Sequence, residues 1–155
     1  MKNLLLFIFS HVTFCSFAQV HSAMPPEAGI FYNKAMPSIN PGIKILIEKN
    51  AVHLKSAQVD TDSLSYALKK DPLLKKMKQA DLDAIAVLIL VQASKNADAD
   101  LKTLVINMRK NNGQNTQKDD ATVSLLEYKS KIAEGIPLLM KKISDSQENA
   151  INNLR

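Results

Sequence analysis

Eight consecutive apolar residues, Ala84 to Val91 (AIAVLILV), stand in a chain otherwise dense in Lys, Asp and Asn. No other feature limits the fold so strongly. As a helix the run rises about 12 Å, against a bilayer hydrocarbon core of about 30 Å, so it cannot span a membrane. A buried strand is the rival, because Val87, Ile89 and Val91 are β-branched and short apolar runs are ambiguous by period. The flanks favour helix. Asp81-Leu82-Asp83 offers an N-cap with acid in the first turn, and Gln92-Ala93-Ser94-Lys95 follows without a breaker. A helix apolar on every side must be wrapped by other helices, which predicts an all-α bundle with this run at its centre.

The distribution of Gly and Pro supports that reading. Residues 73–112 contain neither, a stretch too long for short strands joined by turns. The breakers Pro25, Pro26, Gly29, Pro37, Pro41 and Gly42 instead crowd the leading segment 19–40 and its edge, which is expected to be extended or loop-like. The expected organisation is a signal peptide over 1–18, this extended segment over 19–40, and one domain of about four to five helices over 41–155.

The signal-peptide expectation rests on Lys2, on the apolar stretch Leu4 to Phe17, and on the small residues Ser16 and Ala18 at a cleavage site. An N-terminal helix retained on the chain is the alternative. A lipoprotein would need a small residue before Cys15, where Phe14 stands. Cys15 is the sole cysteine, so a chain cut after Ala18 has none and depends on its core alone in a periplasmic or extracellular setting. Losing Lys2 lowers the net charge from +5 to +4, enough for weak attraction to anionic surfaces. After Tyr32 the only aromatics are Tyr66 and Tyr128. The core is therefore aliphatic, and single-stranded nucleic acid would find little to stack on.

Further helices are expected on both sides of the central run. Asn40 caps the first with Pro41 at its first turn, and Ile43, Leu46, Ile47, Ala51 and Leu54 share one face. A strand competes there, since Ile43, Ile45 and Ile47 also alternate. The second starts at Asp62 or Ser63 with Leu64, Ala67 and Leu68 inward, and Pro72 ends or kinks it. Asp71-Pro72 is then a cap and first-turn pair for a new helix carrying Leu73, Leu74 and Met77. Beyond the central run, Leu101, Leu104, Val105 and Met108 form a stripe between Asp98 and Asp100 at its start and Arg109 and Lys110 at its end. Whether it continues the central helix or follows a turn at Ser94–Ala97 stays open. Asn111–Lys118 reads as a polar loop. In the last segment Ala121, Leu125, Tyr128, Ile132, Ile136, Leu139 and Ile143 hold phase across Gly135-Ile136-Pro137, which favours one long kinked helix over a stop and restart. After Ile143 the stripe thins, and the C-terminus is expected to fray or to await a partner.

No catalytic, cofactor or metal residues are assigned. His21 and His53 are isolated, and no cysteine remains in a processed chain. Asn96, Asp98 and Asp100 alternate as in a calcium loop, but Leu101 and Asn107 occupy the positions that need Gly and Glu, so the acids read as helix capping. One cluster is left. Lys69, Lys70, Lys75, Lys76 and Lys78 surround Asp71 with Leu73, Leu74 and Met77 interleaved, a candidate contact for an anionic membrane or polysaccharide. The plainer reading keeps the lysines in water and the leucines in the core. The expected function is an exported, non-enzymatic helical protein acting through another protein or through self-association of amphipathic helices. Binding to an anionic surface is the alternative, and an enzyme built from carboxylates and lysines in a cleft is third.

Overall fold

The computed structural model describes residues 24–54, 61–110, 116–146 and 150–155. The signal-peptide region and His21 lie outside them. Six helices are present among the described residues, and no strand: α1 Pro26–Ala35, α2 Pro41–His53, α3 Thr61–Leu68, α4 Gln79–Lys110, α5 Thr116–Asp145 and α6 Ala150–Asn153.

α4 is the axis. Every residue from Ala80 to Val91 is buried, so the apolar run is enclosed on all sides. Each of the other helices packs on α4, and apart from a smaller α3–α5 contact the main packing passes through it. The helix runs unbroken through Ser94–Ala97 and carries the stripe of Leu101 to Met108 as its own continuation. Helix packing also settles α2. Asn40 Oδ1 accepts from the Gly42 N–H at 2.9 Å with Pro41 in the first turn, and Ile43, Leu46, Ile47 and Ala51 face inward.

α5 is continuous across Gly135 and Pro137. An interior proline costs about 3 kcal/mol, while burying one large aliphatic side chain returns about 1.5–3 kcal/mol. Ile132, Ile136 and Leu139 are all fully buried around it, so packing outweighs the lost hydrogen bond.

Several expectations are corrected. Segment 19–40 is not extended throughout, because Pro26–Ala35 is helical. Pro25 and Pro26 occupy the N-cap and first position, where a missing N–H costs nothing, and Ala28, Tyr32 and Ala35 form a buried face. α3 begins at Thr61, which places Asp62 and Ser63 inside the helix rather than at its cap. Its buried face is Leu64, Ser65 and Leu68, and Ala67 is exposed. α4 begins at Gln79, ahead of the expected cap at Asp81, and its first backbone bonds run from the Asp81 and Leu82 N–H groups to the Lys78 carbonyl, both at 3.1 Å. Asp98 and Asp100 are interior to α4 and cap nothing. Thr116, Gln117 and Lys118, expected in a loop, open α5, while residues 111–115 lie outside the described ones.

The C-terminus is docked rather than frayed. Leu154 is fully buried, its carbonyl accepts from the Asn40 N–H at 2.9 Å, and Asn153 Nδ2 donates to the buried Asp81 carboxylate at 3.0 Å. One apolar side chain and two hydrogen bonds thus tie the chain end to the starts of α2 and α4.

Two substitutions test this architecture by thermal unfolding followed by circular dichroism. Leu88→Asp places an unpaired charge in the core at a cost of several kcal/mol, comparable to a typical domain stability of about 5–15 kcal/mol, and leaves no folded protein. Leu154→Ala lowers stability by about 2–5 kcal/mol, where a frayed terminus would give no change.

Candidate functional site

Burial along α4 stops at Ala97. From Asp98 onward no residue of α4 is buried, and in the facing half of α5, residues 120–131, only Leu125 is. The two helices leave the bundle as an antiparallel arm about 20 Å long, given 1.5 Å of rise per residue. Two helices alone cover one stripe each, so other apolar side chains are left in water. Val105, Ile106 and Val123 are all exposed.

On one flank the arm opens into a groove of about 470 Å³. Asp100, Thr103 and Leu104 of α4 face Ala121, Ser124, Leu125 and Tyr128 of α5. Leu104, Ala121 and Leu125 make an apolar floor, with hydroxyls and a carboxylate at the rim. Asp120 and Glu127, four residues before and three after Ser124, share its flank and are exposed, and Lys131 lies a turn nearer the core. The opposite flank is closed by the Lys129–Asp98 ion pair, a partly exposed contact that fixes register more than it stabilises. The Tyr128 hydroxyl is buried without a hydrogen-bond partner, and burial pushes its pKa up to about 12.

The five lysines of the sequence cluster lie on the connector between α3 and α4 and are all exposed. The expected helix at Asp71–Met77 does not form. Asp71 Oδ1 accepts from the Leu73 N–H at 2.9 Å, the Asp71 carbonyl from the Leu74 N–H at 3.0 Å, and the Leu74 carbonyl from the Met77 N–H at 2.9 Å, giving successive turns. Leu74 is fully buried and Met77 half-buried, but Leu73 is 64% exposed. The expectation that Leu73 faces the core is therefore overturned.

A second cleft, of about 520 Å³, lies between the start of α4 and the end of α5, where Gln79, Ala80 and Asp83 meet Lys142, Asp145 and Ser146. Its chemistry is that of helix ends. Asp83 accepts from Gln79 Nε2 at 3.0 Å, and the Ser146 hydroxyl donates to the Ile143 carbonyl at 2.7 Å. His53 is exposed at the last turn of α2. Among the described residues no three His, Cys, Asp or Glu side chains converge as a metal site, and no helix is long and apolar enough to cross a membrane.

A further polar network docks α1 on α4. The Tyr32 hydroxyl donates to Gln92 Oε1, Gln92 Nε2 donates to Asn96 Oδ1 at 2.9 Å, and the Lys95 ammonium sits 4.1 Å from the Tyr32 ring centroid. Burial, with a smaller push from Glu48, raises the Tyr32 pKa. The groove, the outward Leu73 and this network were not assigned from the sequence. The stripes of both arm helices were legible, but not that the bundle ends before they do.

Comparison of the chain with protein-family models, curated proteins and solved structures finds no match.

Tyr128 gives this site a pH signature. Its pKa is raised above 10.0, so the folded state keeps the phenol proton longer than the unfolded chain does. Its contribution is fully present below pH 10.0 and is lost as pH rises to about 12. Denaturant unfolding across that range is expected to show a smaller loss for Tyr128→Phe than for the unmodified protein. Below that range the variant matches the unmodified protein or gains about 1 kcal/mol, because a buried unpaired hydroxyl is removed.

Proposed function

We propose that this is an exported, non-enzymatic helical protein that acts through protein contacts, and that the arm groove receives an amphipathic helix of a partner with basic residues beside its apolar face. The observation that carries the reading is the groove itself, an aliphatic floor between two helices with the Asp100 carboxylate at its rim. Asp120 and Glu127, against the cation Lys131, stand at helical spacing from Ser124 and are exposed. Helix-in-groove recognition uses such a floor for anchors at three- and four-residue spacing, and charge on the rim sets orientation and partner choice. Export is supported by Lys2, the apolar stretch to Phe17 and the small residues Ser16 and Ala18.

The test places a photo-crosslinking amino acid at Thr103 or Ser124 in the full chain expressed in its own cells, with the adduct mapped by mass spectrometry. The expected adduct, in the envelope or secreted fraction, is a peptide with helix-period apolar residues and adjacent Lys or Arg. Ala121→Arg, which fills the groove and alters its charge, lowers its yield about tenfold or more. Adducts to a second copy of this chain, to an acidic peptide, or to nothing overturn the groove assignment. An intact Met1 on cytoplasmic protein overturns export.

A further inference from the structure

The connector between α3 and α4 presents a second surface, separate from the groove. Its turns hold Leu73 outward while Leu74, the next residue, is locked in the core. This is a fixed projection. The Asp71 side chain and main chain both bond into the turn, and a Cβ added to Gly42 would come within 3.9 Å of Leu73 Cδ1, so Leu73 rests beside the start of α2. One turn along α2, Ile45 is 65% exposed. Lys69, Lys70, Lys75 and Lys76 flank Leu73 in the chain, Lys44 adjoins Ile45, and all five are exposed. Tyr66 is exposed on α3 with the Lys70 ammonium 5.3 Å from its ring centroid. The single acid of the connector, Asp71, is turned to the Leu73 N–H, and on α2 Glu48 is offset by neighbouring Lys49.

We infer that this surface docks on an anionic lipid bilayer, with Leu73 and Ile45 entering the headgroup boundary and the lysines meeting lipid phosphates. An acidic polysaccharide would satisfy the lysines but leave both aliphatic side chains in water. A protein partner would need a concavity or an extended apolar face, whereas here two separate aliphatic projections have exposed lysines as their chain neighbours. A bilayer supplies both halves at the right depth, apolar matter a few ångströms beneath fixed negative charge. Residues flanking a turn can present their heads in one plane, and Tyr66 with its adjoining ammonium suits the wet edge of that plane.

The experiment uses the full chain with Cys15→Ser, carrying an environment-sensitive fluorophore on Leu73→Cys, mixed with vesicles of phosphatidylglycerol and phosphatidylcholine or of phosphatidylcholine alone. The expected result is a blue shift with the anionic vesicles only, reversed by about 0.5 M salt. A fluorophore on Lys102→Cys, in the arm, stays unshifted. Lys75→Gln with Lys76→Gln weakens binding about twenty-five-fold, at about fivefold per lysine. In the unlabelled chain Leu73→Ser weakens co-sedimentation on the order of tenfold with no change of charge. Leu73, Lys75, Lys76 and Lys102 are exposed, so substitutions there are expected to leave the melting temperature unchanged. Because residue 73 reports its own surroundings, attachment through the apolar N-terminal stretch alone gives no shift and overturns the inference. So does binding that depends on the lysines but is indifferent to Leu73→Ser and equally strong on heparin, the signature of an acidic polymer. Failure here leaves the groove assignment untouched.

Discussion

A helix that is apolar around its whole circumference has no stable arrangement until every side is covered, and that one requirement organises this molecule. From Ala80 to Val91 no residue of α4 reaches solvent appreciably, and each remaining helix contributes a wall. The walls have little else in common, since their main contacts run through α4 rather than among themselves. Opening any one of them exposes part of the same aliphatic surface. That shared surface links the walls energetically and favours cooperative unfolding in a chain with no disulfide among its described residues. Even the last residues are recruited, Leu154 filling a place at the junction of α2 and α4 that the longer helices leave uncovered.

The same requirement explains where the bundle ends. After Ala97 the sequence of α4 returns to a one-sided stripe, and a one-sided stripe needs only one neighbour. α5 supplies it, and among the described residues no other helix packs there to close the arm. The arm therefore keeps exposed valine, isoleucine and a groove that a third helix would fill in a closed bundle. With few buried contacts, this part lies at the low end of local stability, which suits a surface that adjusts to a partner.

Much of this was readable from residue order, and the parts that were not share a physical cause. The enclosed helix, the Asn40-Pro41 start of α2 and the continuity of α5 follow from strong local signals or from long periodic stripes. α1 was missed because Pro25 and Pro26 serve equally as loop residues and as a helix start, and only the buried face of Ala28, Tyr32 and Ala35 decides between them. The phase of α3 was half right, since Leu64 and Leu68 are inward but Ser65 takes the place expected for Ala67. The C-terminal anchor was misjudged because the stripe thins to Ala150, Ile151 and Leu154 in a polar tail, too short a pattern to show that Ile151 and Leu154 pack on the core. Each miss lies where a single tertiary contact overrides a weak local preference.

The basic connector shows how much one side-chain hydrogen bond decides. As a helix, residues 71–77 would have turned Leu73 with Leu74 and Met77 toward the bundle, leaving lysines on a plain solvated face. Pro72 removes one donor, and the Asp71 carboxylate takes the Leu73 N–H for itself, the local competition by which aspartate disfavours helix interiors. The chain turns instead, and a leucine is delivered outward among lysines. That turn enters α4 at Gln79, while the groove lies near Leu104 on the same helix, so the two surfaces stand roughly 35–40 Å apart along it at 1.5 Å per residue. The two proposed contacts thus draw on separate residues, and the helix that makes the fold possible also sets the distance between them.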